Sequence, residues 1–234
     1  MNRKNYYKAL KNMEKLIKEG HTNFLDFSAL RKVKSKIKGM KYKEFYPYDE
    51  SEKVILYRNK KPKIRFIEII CDERLTHGQI LGSLYGLKID MELIGDVVIY
   101  NGHYYIMVMN GAYNLILNEF VMIGNNRIIL KEVSNRVLAN YVREYEIKVV
   151  TLASPRIDSV IAKIINISRD KIKSKFSLDE IVLNYEICHK ESYFLKENDV
   201  FSVRKHGKFK INSITKNIRK NNYTIQMYKY IDKG

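Results

Sequence analysis

"RIDSVIAKIINISRDKIKSKF", residues 156–176, decides how the last third of the chain folds. Ser154 and Pro155 precede it, and together they open a helix, since serine suits the N-cap and proline the first helical position. Ile157, Val160, Ile161, Ile164 and Ile165 recur at three- and four-residue spacing and predict a buried stripe. "NIS" (166–168) is a turn, and Ser168 caps a second helix. There Ile172 and Phe176 point inward at i and i+4. This leaves Arg169, Lys171, Lys173 and Lys175 outside, four cations within seven residues. "EIVLNYEI" (180–187) and "DVFSVRKHGKFKI" (199–211) then read as strands, so two helices precede a small sheet.

The cationic strip sits in a basic chain. The 234 residues carry a formal net charge of +17. The excess is uneven: +7 over residues 1–50, +2 over 51–150 and +8 over 151–234. A charge of this size says nothing about fold, but it favours a polyanionic partner, nucleic acid or an anionic membrane surface. Apolar content, 45%, is ordinary for a globular protein. Cys71 and Cys188 lie far apart without CxxC spacing, which excludes a disulfide framework and a zinc knuckle and fits a reducing cytoplasm. No apolar run approaches the ~20 residues of a membrane span. The charged N-terminus "MNRKNYYKALKNMEKLIKEG" does not read as a signal peptide.

Upstream, residues 2–19 predict an amphipathic helix with Tyr6, Tyr7, Leu10, Met13, Leu16 and Ile17 on one stripe, stopped by Gly20. "TNFLDFSALRKVKSKIKG" predicts a second, with Asp26 and Ser28 as candidate caps, Leu30, Val33 and Ile37 as its apolar stripe and Gly39 as its end. The lysines of both helices read as a solvated face or as a secondary RNA contact. After the polar break "YDESEK" (48–53) the period changes. "VILYR" (54–58) and "KIRFIEII" (63–70) predict a hairpin, "THGQILGSLYGLK" (76–88) a helix capped by Thr76, and "GDVVIYNGHYYIMVM" (95–109) a second hairpin turning at Asn101-Gly102. "AYNLILNEFVMIG" (112–124) predicts a helix and "RIILKEV" (127–133) a closing strand. The expected fold is α+β in three parts: a helical N-terminal region (1–50), a ferredoxin-like or RRM-like middle domain (51–150) and the C-terminal module (151–234).

The C-terminal pattern resembles the small RNA-binding domain named after ribosomal protein S-four, found also in pseudouridine synthases and tyrosyl-tRNA synthetases. Arg156, Asp158, Ser168, Arg169, Lys173, Val182, Asn184, Asp199, Val200, Ser202, Val203 and Arg204 carry the match, and Gly207-Lys208-Phe209 extends it. There are three departures. "LDE" (178–180) replaces a usual glycine before the first strand, Asn198 replaces the glycine of a Gly-Asp pair, and Lys205 stands where glycine often follows the arginine. "THGQILGSLYGLKIDMELIGDVVI" is similar to the middle domain of the bacterial YlmH family, with its His, Ile-Leu-Gly, Gly-Leu and Ile-Gly-Asp, although Gly78-Gln79 replaces the charged pair after the histidine. "TNFLDFSALRKV" is similar to that family's N-terminal segment. The resemblance implies an RNA-binding protein associated with the large ribosomal subunit and a stalled peptidyl-tRNA, in the quality-control process that adds a C-terminal tail to the stalled chain.

A short helix with cations on one face can lie against a duplex RNA backbone, whose major groove is too narrow for side chains to read. Affinity then comes from counterion release at each neutralised phosphate. Arg156, Arg169, Lys173 and Arg204 are the expected core of this contact, and Lys171, Lys175, Lys205 and Lys208 its rim. Asp158 is expected to pair with Arg156 or cap the helix. Arg156-Ile157-Asp158 is superficially similar to the Arg-Leu-Asp of pseudouridine synthase active sites, but those continue into Thr-x-Gly and this chain continues "SVIAKI". No glycine-rich loop follows a strand, and His21, His77, His103, His189 and His206 lack metal-ligand spacing. Neither enzyme activity nor a cofactor is therefore expected. The partners expected are rRNA, tRNA and the large ribosomal subunit, bound by a cytoplasmic monomer. Two rivals are an RNA-modifying enzyme with its site in the middle domain, and a membrane-surface or division-associated scaffold using the basic N-terminal helix.

Overall fold

A computed structural model describes residues 3–231, with the side chains of residues 3–6 and of Arg169 outside that description. The elements in order are α1 (Arg3–Lys18), α2 (Phe27–Lys36), β1 (Lys43–Phe45), β2 (Ile55–Tyr57), β3 (Ile64–Ile70), α3 (His77–Gly86), β4 (Ile94–Tyr100), β5 (His103–Met109), α4 (Asn110–Glu119), β6 (Met122–Ile123), β7 (Asn126–Arg127), β8 (Ile129–Val133), β9 (Tyr145–Leu152), α5 (Ile157–Ile165), α6 (Arg169–Ser177), β10 (Ile181–Leu183), β11 (Glu186–Ile187), β12 (Val200–Val203), β13 (Gly207–Asn217) and β14 (Asn222–Tyr230). The fold is α+β. The described residues up to Val142 gather into one compact unit, and Arg143–Ile231 into a second. The N-terminal helices therefore belong to the same unit as the middle-domain sheet, and β9, which straddles the boundary expected at residue 150, opens the second unit.

In the first unit α1 buries Ala9, Asn12 and Leu16, while Tyr7 and Ile17 of the expected stripe face outward; Tyr6 lies outside the described side chains. Asp26 caps α2, its carboxylate accepting the Ala29 N–H at 2.8 Å. Leu16, Leu25, Val33 and Ile37 pack with Val54 and Leu56 in a small core. β2 pairs with β1, Lys43 opposite Tyr57, instead of making the expected hairpin with the next strand. The partner that satisfies a strand's N–H groups is a non-local choice that period alone does not reveal.

The succession β3-α3-β4-β5-α4-β8 forms an antiparallel sheet in the order β4-β5-β3-β8. Asn101 and Gly102, both at positive φ, make the tight β4–β5 turn. One sheet face packs Ile67, Ile69, Ile106 and Val108 against Ile80 and Leu84 of α3 and Ile116 of α4. The other packs Phe66, Val98, Tyr105 and Met107 against Phe24, Tyr48, Ile55 and Leu138. Both faces are thus covered, which explains the unbroken apolar run of residues 104–109. Tyr104 and Tyr105 are core residues, and the Tyr100 hydroxyl donates to the Asn140 carbonyl at 3.3 Å.

The Ile94-Gly95-Asp96 stretch works as a clamp. The Lys53 ammonium donates to the carbonyls of Ile94 at 2.8 Å and Gly95 at 3.0 Å, and desolvation lowers its pKa. Asp96 accepts from the Tyr48 hydroxyl, the Ser51 hydroxyl and the Glu52 N–H within 3.0 Å. Thr76 and Gln79 form a reciprocal capping box at α3, so Gln79 serves the helix start. Gly78, Gly82 and Gly86 lie exposed, with nothing within 4 Å of a Cβ built on any of them. Close helix–sheet packing is therefore not the role of Gly82 and Gly86.

The second unit is a six-stranded antiparallel sheet in the order β11-β10-β12-β13-β14-β9. Ile157, Val160 and Ile161 of α5 and Ile172 and Phe176 of α6 pack on one face against Phe201, Val203, Phe209, Ile211, Ile225 and Met227. The strand expected over 180–187 is a hairpin, because Asn184 and Tyr185 both take positive φ. The strand expected over 199–211 turns at residues 204–206, and β13 runs on to pair with β14.

Candidate nucleic-acid interface

α6 is laid down by its cap and its two inward apolar residues. The Ser168 hydroxyl accepts the Lys171 N–H at 3.4 Å, and Ile172 and Phe176 are buried. Lys171 and Lys173 are left exposed on the outer side. Lys173 approaches Asp170 at 3.6 Å, an exposed pair of little energetic weight. Arg169 begins the helix, and its side chain is outside the described ones. Lys175 is treated differently. Its ammonium donates to the Glu180 carboxylate at 2.8 Å, and both side chains are largely covered.

Glu180 ties this helix to the turn between β12 and β13. Its main-chain carbonyl accepts the Arg204 N–H at 2.9 Å. The Lys175 hydrogen bond holds the Glu180 carboxyl below the usual range, against an opposing effect of burial, and the charges of Lys175, Arg204 and Lys205 add to it. Lys175, Arg204 and Lys205 therefore share one electrostatic neighbourhood, and Arg204 and Lys205 are exposed within it. Lys208 follows on β13. Its ammonium lies 3.3 Å from the Tyr185 hydroxyl and 4.8 Å from the centroids of both the Tyr185 and Tyr230 rings.

Arg156 is held elsewhere, at the start of α5. Its Nε and Nη2 donate to the two carboxylate oxygens of Asp158 at 3.1 and 2.7 Å. Asp158 is buried and also accepts from the Ser159 N–H at 2.7 Å. Burial raises the Asp158 pKa, but the Arg156 and Ser159 bonds outweigh it and leave the carboxyl below its usual value. This fork braces the helix start, and Arg156 keeps only part of its surface for an outside ligand.

The three departures from the glycine pattern have a common backbone property. Asp179, Asn198 and Lys205 all adopt positive φ, at 56°, 68° and 67°. The chain makes the left-handed turns that glycine makes most easily, with side chains in place. Asn198 and Asp179 belong to the types that visit this region. Lys205 does not, and it sits in the turn with Arg204. Sequence reasoning missed Glu180 as the joint between helix and turn, for which no local signal existed.

Among the described residues, no group of three or more His, Cys, Asp or Glu is placed to hold a metal. No helix among them is long and apolar enough to cross a membrane.

Comparison with known proteins adds three findings. Residues 62–136 match a family model described as "Putative RNA-binding domain in YlmH". "Ribosome-associated protein quality control protein P2" of Bacillus subtilis (strain 168) is 21% identical over 184 residues, which is 79% of this chain and 69% of that protein. Among solved structures, "Cell division protein ylmH from Streptococcus pneumoniae" is 22% identical with a TM-score of 0.46, over 59% of this chain and 94% of that one.

Proposed function

We propose that this chain is a non-enzymatic, cytoplasmic RNA-binding protein that docks on structured rRNA and tRNA of the large ribosomal subunit and serves in quality control of stalled nascent chains. The RNA-binding description of residues 62–136 supports the partner class. The name of the Bacillus subtilis relative, a ribosome-associated quality control protein, supports the ribosome.

The observation that carries the mechanism is the meeting of α6 with the β12–β13 turn at Glu180. The exposed Lys171 and Lys173 on one element and Arg204 and Lys205 on the other form a cationic surface suited to a phosphate backbone. A lysine in a left-handed turn costs about 1–2 kcal/mol relative to glycine, a cost that function can explain. We read the second unit as an S-four-type domain whose sheet is extended by β9 and β14, and the β3–β8 succession as a ferredoxin-like sandwich. Any RNA contact by residues 62–136 uses its helices, edges or loops, because both faces of that sheet are covered.

The test is sedimentation of lysate through a sucrose gradient at low and then raised salt, blotting for the chain. Co-migration with the free large subunit that is lost as salt rises is the expected outcome. A protein that stays at the top of the gradient at every salt concentration overturns the ribosome reading.

A further inference from the structure

The helices of the second unit cover one face of its sheet, and strand alternation sends the intervening side chains to the other. With Ile225 and Met227 of β14 in the core, Tyr228 and Tyr230 point away from it. On β13, where Phe209 and Ile211 are inward, Lys208 and Lys210 point outward. The register sets Tyr228 between Lys210 and Ile147, and Tyr230 opposite Tyr145.

These side chains form one connected surface. The Tyr145 ring lies 5.2 Å from that of Tyr228, tilted by 34°, and 5.2 Å from that of Tyr230, edge-on. The Arg143 guanidinium lies 5.2 Å from the Tyr230 centroid. Lys208 bridges Tyr230 to Tyr185 at 4.8 Å from each. Beside the rings Ile147 and Val149 are 58% and 59% exposed. None of the residues that the register turns to this face on β9, β12, β13 and β14 is acidic.

We propose that this face is a stacking platform for unpaired RNA bases, distinct from the phosphate contact of α6 and joined to it through Lys208. The proposal rests on the RNA-binding reading above. Rings interleaved with cations match what a single strand offers, a base face to stack and a phosphate to neutralise. A duplex hides its base faces and has no use for the rings. The first unit cannot supply such a platform, since its sheet is packed on both sides. An apolar protein partner would not call for Lys208, Lys210 and Arg143 among the rings.

The experiment measures fluorescence anisotropy of the full chain with a labelled ten-nucleotide oligouridine and, separately, with a blunt RNA duplex. Tyr145→Ala and Tyr228→Ala are each expected to weaken oligouridine binding by about 5- to 100-fold while changing duplex binding less than about twofold. Tyr145→Phe and Tyr228→Phe keep the ring and should bind as the wild type, which separates stacking from loss of fold. Lys173→Glu should do the reverse, weakening the duplex more. Folded Tyr→Ala variants with undiminished oligouridine affinity overturn the platform. So does a wild-type chain that binds the duplex and ignores oligouridine, an outcome that leaves the RNA-binding reading standing. A chain that binds neither RNA overturns both. If the tyrosine variants instead lose binding to phosphatidylglycerol vesicles while oligouridine is ignored, the face is a lipid surface and the proposal fails.

Discussion

Lys175 is neutralised by Glu180 at 2.8 Å, whereas Lys171 and Lys173 on the same helix stay exposed. Three lysines that look equivalent in sequence therefore have different work. Each phosphate contact contributes about 0.7–0.9 to the slope of log affinity against log salt. Lys171→Ala with Lys173→Ala is expected to lower that slope by about 1.4–1.8 in duplex-RNA filter binding. Lys175→Ala should leave the slope nearly unchanged. An equal drop for all three lysines would mean that the Glu180 pair opens when RNA binds.

Lys205 offers a test in which stability and binding move in opposite directions. Its φ of 67° suits glycine. Lys205→Gly should relieve about 1 kcal/mol of backbone strain, less the entropy that glycine adds to the unfolded chain. It should also reduce RNA affinity severalfold, through loss of one cation from the Glu180 neighbourhood. The pair of measurements is a urea midpoint and a binding isotherm. A variant that gains stability and keeps its affinity would show that the side chain has no part in RNA contact.

The helical half of the candidate site was legible because its signals are local. Ser168 as cap is a residue-type signal, Ile172 and Phe176 as the inward pair and Lys171 and Lys173 as outward residues follow from a 3.6-residue period, and α6 begins directly after Ser168. The Asp26 cap and the Asn101-Gly102 turn were legible for the same reason. Strand partners were not, since β2 chose β1 and β9 chose β14 across long stretches of chain. Turns whose left-handed residue is Asp179, Asn198 or Lys205 lack the glycine that announces such a turn. The tyrosine face was hidden because Tyr145, Tyr185 and Tyr230 are brought together only by the sheet.

Gly95 is required by space rather than by φ. A Cβ there would lie 2.8 Å from the Met107 Cβ and 3.0 Å from the Phe24 Cζ. The Met107 Cβ is fixed to the neighbouring strand and cannot swing away. Gly95→Ala should destabilise the first unit by about 2–3 kcal/mol, the upper part of the range for overpacking. It should also disturb the carbonyls that hold Lys53. Chemical denaturation of the full chain, followed by circular dichroism, reads this. A shift below about 0.5 kcal/mol would mean that strands β4 and β5 separate easily at this point.

The Asp158 carboxylate gives the second unit a defined acid limb. Burial works to raise its pKa, and the bonds from Arg156 and Ser159 more than reverse this, so the folded value lies below that of the unfolded chain. A carboxyl shifted this way stabilises the fold fully above its unfolded pKa of about 3.9, and that contribution is lost as the pH falls through the folded value. Asp158→Asn should therefore cost about 1–3 kcal/mol at pH 7, where it removes a charged hydrogen-bonded partner from Arg156. The gap between wild type and variant should narrow as the pH drops from 4 towards 2, because the wild-type carboxyl is then being protonated. Thermal melts of both chains at pH 7, 4 and 2.5 measure it. A gap that stays constant across this range would show that the carboxylate charge contributes nothing, and that Asp158 acts only through the shape of the helix start.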